Sequence, residues 1–167
     1  MVQLWVAIGL HYSANHGATL FMSSYNHILV GLDLSPESQL VIDRVKELFS
    51  DKDVRISLLH VQEPLSFAYG GDIPMDLSEV QAQMEEQAHS RLHSFCQQLG
   101  LANENGHVLI GQPAHEMHQF AKDNAVDLTV VGSHGRHGLA LVFGSTANGV
   151  LHGAVCDVLA VRIKKQA

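Results

Sequence analysis

Short apolar runs alternate with segments of helical periodicity along this chain from Met22 onward. The runs predict five strands, at residues 27–33, 54–62, 107–111, 127–132 and 157–163. The segments after the first four runs predict helices, over about residues 35–48, 78–99, 113–124 and 145–152. Nearly continuous apolar strands that alternate with helices are typical of a parallel sheet covered on both faces. We therefore predict an α/β fold, a doubly wound three-layer sandwich with a five-stranded parallel sheet, for which right-handed connections leave a few strand orders, 3-2-1-4-5 among them.

The first helix carries start signals in its sequence. Ser35 is a typical N-cap residue, Pro36 suits the first helical position, and Glu37 places an acid in the first turn. The sequence therefore predicts that this helix begins at Ser35-Pro36.

A glycine-rich stretch follows the fourth predicted strand and leads into the fourth helix. Its glycines and the hydroxyl pair at its exit are Gly132, Gly135, Gly138, Gly144, Ser145 and Thr146. Glycines allow close backbone approach, and a helix start offers N–H groups and a favourable dipole to an anion. The stretch has neither the lysine of a P-loop nor GxGxxG spacing. The residues alone leave two interpretations open, a phosphate-binding loop or a turn that ends in a capped helix.

Three separated segments resemble the universal stress protein family, in its UspA-like branch. They read HILVGLDLSPES at 27–38, LLHVQEP at 58–64 and VVGSHGRHG…GSTANGVL…CDVLAVR at 130–162. The loop Tyr69-Gly70-Gly71-Asp72 adds to the likeness to that branch, and the resemblance covers residues 24–163. It implies a stress-response protein whose five-stranded sheet has the order 3-2-1-4-5. It also implies that the chain binds ATP and forms a dimer, as many members do.

The resemblance also implies the positions of a nucleotide site between the first and fourth strands. Asp33 matches an acid that meets the adenosine part, and Val61 matches a residue that lines the adenine pocket. The phosphate and ribose loop matches Gly132, Gly135, Gly144 and Ser145, with Thr146 adjacent. The implied cofactor is ATP, ADP or AMP, with or without Mg²⁺. We assign no catalytic residue and no metal ligand of the protein itself.

The loop departs from the family pattern in its spacing. The family places nine residues between the second glycine and Gly-[Ser/Thr], whereas residues 136–143 provide eight here. Some UspA-like members have lost these glycines and bind no ATP. A nucleotide-free stress protein that acts by protein–protein contacts is therefore the alternative. Asp33 also has a structural alternative, as a cap for the first helix or for the Ser35 amide.

No catalytic constellation accompanies the loop. It lacks an acidic pair to hold Mg²⁺ for phosphoryl transfer, and no GxSxG motif accompanies the histidines. We therefore expect a regulatory protein, with slow nucleotide hydrolysis as the weaker alternative. The pairs His89/His93 and His115/His118 have helical spacing that suits metal ligands, but such pairs are more often ordinary helix surface.

The net charge and the cysteines limit which partners the protein is expected to bind and which cellular compartment it is expected to occupy. The formal net charge of −7 argues against a surface that grips nucleic acid or anionic lipid. Cys96 and Cys156 form no CxxC motif and are typical of a reducing compartment, so we expect a cytoplasmic protein. The apolar run 158–161 lies on a predicted edge strand, and an edge must be covered or paired. We therefore expect a homodimer through the last strand, Asp157–Ile163.

The first 21 residues differ from the rest of the chain because they contain no Lys or Arg. The apolar run in residues 1–10 is too short to span a membrane and lacks the basic region of a secretory signal. We expect residues 1–21 to be an N-terminal extension outside the fold, and residues 22–167 to be one domain. The competing interpretation is a short partner-binding segment.

Overall fold

The structure is a computed structural model that describes residues 25–51, 53–64, 78–133 and 144–163, together with the backbone of residues 5–7. Its strands are β1 (Trp5–Ala7), β2 (His27–Gly31), β3 (Arg55–Gln62), β4 (Gly106–Ile110), β5 (Leu128–Gly132) and β6 (Asp157–Val161). Its α-helices are α1 (Ser38–Phe49), α2 (Ser78–Gln98), α3 (Pro113–Asp123) and α4 (Ser145–His152), and a 3₁₀ turn, Asn103–Asn105, precedes β4.

The sheet has the order β1-β6-β5-β2-β3-β4. Strands β2 to β6 are all parallel to one another, with Val30 opposite Leu58 of β3 and Val130 of β5. Because β2 to β6 are the five predicted strands, their order reads 3-2-1-4-5. The predicted α/β class and strand order are therefore confirmed.

A short sixth strand extends the sheet beyond the five predicted ones. β1 pairs antiparallel with β6, and Val6 lies opposite Leu159. The prediction that residues 1–21 stay outside the fold therefore does not hold for Trp5–Ala7, while the domain boundary at residue 22 stays a prediction. The physical reason is that an uncharged apolar stretch with β propensity can pair with the otherwise open edge of β6.

The start of α1 differs from the sequence prediction. The helix begins at Ser38, and Ser35 to Glu37 form a turn in which the Ser38 N–H donates to the Ser35 carbonyl at 3.0 Å. The Ser35 hydroxyl donates to Asp33 Oδ1 at 2.7 Å, and no side chain forms a capping hydrogen bond at the start of α1. The expected N-cap serine is therefore part of the turn before the helix, where it bonds the preceding carboxylate.

Two apolar clusters cover the two faces of the sheet. Alternate residues of β2 supply both, because Ile28 and Val30 pack under α1 and α2, whereas Leu29 packs under α3 and α4. The helices contribute buried side chains at helical spacing, with Val41 and Val45 on the first face and Met117 on the second. This arrangement is the three-layer sandwich that the sequence predicts.

Both cysteines are free thiols in the described part of the chain. Cys96 is buried on α2, and Cys156 lies half-buried with its Sγ 3.3 Å from Thr129 Oγ1. Burial raises the pKa of both thiols and keeps them in the less reactive neutral form. Among the described helices, none has the length and apolar character that crossing a bilayer would require.

Candidate functional site

The winding of the sheet reverses at β2. From β2 the chain passes to β3 and β4 on one side, and β5 and β6 lie on the other. The carboxyl ends of β2, β3 and β5 therefore meet at one edge, where Asp33, Val61 and Gly132 lie. A crevice at such a switch point is where doubly wound folds bind ligands.

Asp33 organises the loop between β2 and α1. Its Oδ1 accepts hydrogen bonds from the Ser35 N–H at 3.0 Å, the Ser35 hydroxyl at 2.7 Å and the Ser38 hydroxyl at 2.8 Å. The residue itself is exposed, and the following Leu34 has a φ of 56°, a left-handed conformation that costs free energy outside glycine. The capping role considered for Asp33 is thus present, at the same edge as the predicted nucleotide site.

Two residues that the sequence did not indicate, His60 and Arg91, form hydrogen bonds to the backbone of the loop between β2 and α1. His60 Nδ1 donates to the Leu32 carbonyl at 2.9 Å, and Arg91 of α2 donates to the Leu34 carbonyl. Burial lowers the pKa of His60, so the ring is neutral near pH 7 even though the Asp33 charge opposes that shift. No local sequence signal announces either contact, because each joins elements far apart in the chain.

The end of β3 contributes an apolar and a polar side chain. Val61 is half-buried against the cluster under α3 and α4. Gln62, on the opposite face of the strand, is 5% exposed, and its Nε2 has no hydrogen-bond acceptor among the described residues. A buried donor without a partner is costly in a folded protein. A polar residue at the last position of a predicted strand was the signal that could have identified it.

Gly132 has a packing role at the end of β5. A Cβ at this position would lie 2.7 Å from Ile163 Cδ1, so the side chain that follows β6 occupies that space. The next residue, Ser133, accepts a hydrogen bond from the Gly144 N–H at 3.0 Å through its carbonyl. This bond brings the start of α4 to the end of β5. Gly135 and the eight-residue interval 136–143 lie outside the described residues.

The first turn of α4 presents donors at the surface. Gly144 is the N-cap and carries no side chain that could cap the helix, and the first intrahelical bond runs from the Asn148 N–H to the Gly144 carbonyl at 2.9 Å. The N–H groups of residues 145–147 precede that bond, so they point out of the helix start. Ser145 and Thr146 are exposed and add hydroxyl donors. This turn has the chemistry of an anion site.

One member of each histidine pair forms a hydrogen bond within the protein, and the other, His89 or His115, is exposed. His118 Nε2 donates to the Val150 carbonyl at 2.9 Å and so ties α3 to α4, and His93 bonds Gln97 along α2. In the ranges that the structure describes, no three His, Cys, Asp or Glu side chains lie close enough to hold a metal ion.

Comparison with known sequences identifies one protein family across most of the chain. The model of the universal stress protein family matches residues 24–162. Two proteins of Coxiella burnetii are similar to this chain: universal stress protein A homolog 1 is 41% identical and homolog 2 is 42% identical. The alignments cover 84% and 86% of this chain and 99% of each relative.

Solved structures share the fold at lower identity. The hypothetical protein MJ0577 superposes with a TM-score of 0.71 at 23% identity, over 86% of this chain and 99% of that one. A universal stress protein in complex with cAMP superposes with a TM-score of 0.60 at 20% identity, over 85% and 100%. With the family model and the relatives above 40% identity, the conclusion is direct: this chain belongs to the universal stress protein family.

Proposed function

We propose that this stress-family protein binds an adenine nucleotide, ATP or alternatively ADP or AMP, in the crevice between β2 and β5. The observation that carries the proposal is the first turn of α4, which combines N–H groups that precede the first intrahelical bond with the exposed hydroxyls of Ser145 and Thr146. That a universal stress protein of the same fold has been solved with cAMP supports an adenine ligand.

The residues of the crevice fit the parts of such a ligand. The start of α4, with Gly144, would hold phosphate oxygens, and Gly132 and Gly135 would lie along the same loop. The Asp33 carboxylate suits sugar hydroxyls as donors, and Val61 offers an apolar wall for the base. The buried Gln62 Nε2 lacks an acceptor among the described residues, and an acceptor atom of the bound base would relieve that cost. Any Mg²⁺ would arrive with the nucleotide phosphates.

The proposed role is regulation by a dimer rather than catalysis. Three hydrogen bonds from its own loop already hold Asp33 Oδ1, so this oxygen is poorly placed to act as a base or as a metal ligand. Nucleotide occupancy would instead bias the loop and the dimer surface at residues 157–163. We place the protein in the cytoplasm, where free thiols such as Cys96 and Cys156 persist, without nucleic acid or membrane as its partner.

A second candidate is a nucleotide-free stress protein that acts through protein contacts. Two observations favour it: Asp33 serves its own loop, and Gly132 makes room for Ile163. Both residues would then be needed for the fold alone. The two candidates differ in what they predict for Ser145 and Thr146 in the first turn of α4, because both residues are exposed.

The decisive experiment is therefore calorimetric titration of ATP, ADP, AMP and cAMP into the Thr146→Asp variant. An added carboxylate at a helix start suits the dipole and preserves the fold, but it repels a phosphate. We expect affinity at least about tenfold weaker than that of the native chain, about 1.4 kcal/mol, with unfolding unchanged.

Asn103→Asp provides the matched control. It adds the same charge in the exposed 3₁₀ turn before β4, at the opposite end of the strands, and should leave affinity unchanged. Absence of binding by the native chain at millimolar ligand would reject the nucleotide site and favour the second candidate. Equal weakening by both variants would show a non-specific charge effect.

A further inference from the structure

The outer edge of β6 carries the strand β1. The antiparallel register places Trp5 opposite Ala160, Val6 opposite Leu159 and Ala7 opposite Val158. The inner edge of β6 pairs in parallel with β5. β1 thus takes up the backbone edge at the middle of β6, which the five-stranded sheet alone would leave open.

The two outer parallel strands, β4 and β6, differ in how far their side chains are exposed to solvent. At β4, which lies at the other side of the sheet, residues 106–109 are all half-buried and Ile110 is 45% exposed. At β6, whose outer edge is paired with β1, the residues of the run 158–161 are all buried, with exposures of 4–7%. A buried apolar strand at a sheet edge requires a neighbour, because its unpaired N–H and carbonyl groups would otherwise be shielded from water.

We propose that β1 and the β6 strand of a second copy of this chain compete for this edge, so that release of β1 permits dimerisation. The inference rests on the proposed dimer through residues 157–163 and adds what controls it. In a two-fold antiparallel pairing centred on Leu159, residues 158–160 of each copy face the same residues of the other. These are the three residues that β1 pairs, and a strand edge holds one neighbour at about 4.8 Å.

The chain composition and connectivity suit such a competition. Residues 1–21 contain no Lys, Arg, Asp or Glu, so no charge opposes their addition to an apolar edge. β1 is tethered to β2 through residues 8–26, which gives it an effective concentration on the order of millimolar at its own β6. A second copy at micromolar concentration is less concentrated near this edge than the tethered β1 is. However, the β6 strand of that copy has five residues and can form a longer pairing than β1, which has three.

A designed disulfide tests the pairing and its consequence together. Trp5→Cys with Ala160→Cys is made in a chain that carries Cys96→Ala and Cys156→Ser, and Ala7→Cys with Ala160→Cys is the mismatched control. Directly opposed antiparallel residues are close enough for a disulfide, whereas a diagonal pair about 7–8 Å apart is not. Sedimentation measures the oligomeric state of the oxidised and reduced forms, of the native chain, and of a chain that starts at Met22.

We expect the matched pair to form an intramolecular disulfide much faster than the control pair. The oxidised protein should stay monomeric at concentrations where its reduced form dimerises. The chain from Met22 should dimerise at least tenfold more tightly than the full chain. Trp5 is the single tryptophan, so its emission reports on this segment and should differ between monomer and dimer.

The contrary outcomes are distinct. Equal oxidation of the matched and mismatched pairs would overturn the pairing of β1 with β6. If the oxidised and reduced proteins dimerise alike, the competition is wrong while a dimer through another surface stands. If every form, including the chain from Met22, is monomeric, both the competition and the proposed dimer fail, and the nucleotide site is unaffected.

Discussion

Polar side chains at the two ends of the parallel strands have different partners. At the amino ends they bond one another across neighbouring strands. The Asp127 carboxylate accepts hydrogen bonds from the Asn26 N–H at 2.8 Å, the Asn26 side-chain amide at 3.1 Å and the His27 N–H at 3.1 Å. The Tyr25 hydroxyl donates to Asp157 at 3.1 Å. These bonds join the starts of β2, β5 and β6.

His27 completes the amino end from inside the sheet. Its ring is buried, with Nε2 2.8 Å from Ser57 Oγ and Nδ1 2.6 Å from an Arg55 guanidinium nitrogen. Nδ1 also lies 2.9 Å from the Asn124 carbonyl oxygen, to which Arg55 donates at 2.9 Å. With the ring proton on Nε2, Nδ1 accepts from Arg55; with the proton on Nδ1, the ring donates to the Asn124 carbonyl and Nε2 accepts from the Ser57 hydroxyl. Burial lowers the pKa of His27, and the neighbouring Arg55 charge lowers it further.

At the carboxyl ends the polar groups are less completely matched. Asp33 bonds within its own loop, Gln62 Nε2 has no acceptor in the part of the chain that the structure describes, and α4 begins without a side-chain cap. Buried polar groups normally find partners within a protein. The difference teaches that the amino end serves stability, while the carboxyl end retains the groups that a ligand would need.

The largest expected effect is a difference in the free energy of unfolding between variants at the amino ends and at the carboxyl ends of the strands. Asp127→Ala removes three hydrogen bonds, so we expect the free energy of unfolding to fall by about 2 kcal/mol, with nucleotide affinity unchanged. Asp33→Ala should cost about 1 kcal/mol, because its bonds are local, and should weaken nucleotide binding at least about tenfold. Urea unfolding and calorimetry measure both quantities. A larger stability loss for Asp33→Ala than for Asp127→Ala would remove the contrast.

The pH dependence sharpens the role of the amino end. Because the folded-state pKa of His27 is lowered, the unfolded chain binds the proton more readily. Its contribution to stability is therefore complete above about pH 6.5 and is lost as the pH falls toward the folded pKa, by at most about 1.4 kcal/mol per pH unit. Urea unfolding between pH 7.5 and 5 should show this slope, and His27→Gln should flatten it. An unchanged slope in the variant would assign the effect to other groups, such as His60 or His107.

The smallest expected effect concerns Gln62 at the carboxyl end of β3, where the sign of the change in the free energy of unfolding is the test. Gln62→Leu removes a buried donor that has no acceptor among the described residues, so the free energy of unfolding should rise by about 0.5 kcal/mol. Nucleotide affinity should fall at the same time. Gln62→Glu, which keeps the side-chain size but adds a charge, should lower both stability and affinity. A loss of stability in Gln62→Leu would show that the amide has a structural partner and no part in binding.

Several features followed directly from local sequence. The five parallel strands could be predicted because strands buried on both faces need nearly continuous apolar runs, and the end of α2 at Gln98 lies just before Gly100 as expected. The start of α1 could not, because the same Ser35 that signals an N-cap is bonded instead to Asp33. Local propensity does not show which of its possible hydrogen-bond partners a side chain bonds in the folded protein.

The candidate site divides in the same way. Its glycines and the Ser145-Thr146 pair stood out by composition and by resemblance to a family, whereas His60, Gln62 and Arg91 were recognised only from the packed structure. Their roles depend on which face of β3 or α2 meets the loop after β2. Side-chain chemistry is local, but a partner far along the chain is chosen by packing.

The sequence by itself determined the α/β class and the parallel sheet, because apolar periodicity and right-handed connections leave few alternatives. The strand order came from the resemblance of three segments to a family. Only the tertiary structure decided that Trp5–Ala7 joins the sheet, that Gly132 lies against Ile163, and that Gln62 is buried without an acceptor among the described residues. The physical reason is that a strand edge, a close contact and an unmatched donor are properties of pairs of distant segments, and they exist only once those segments have been brought together.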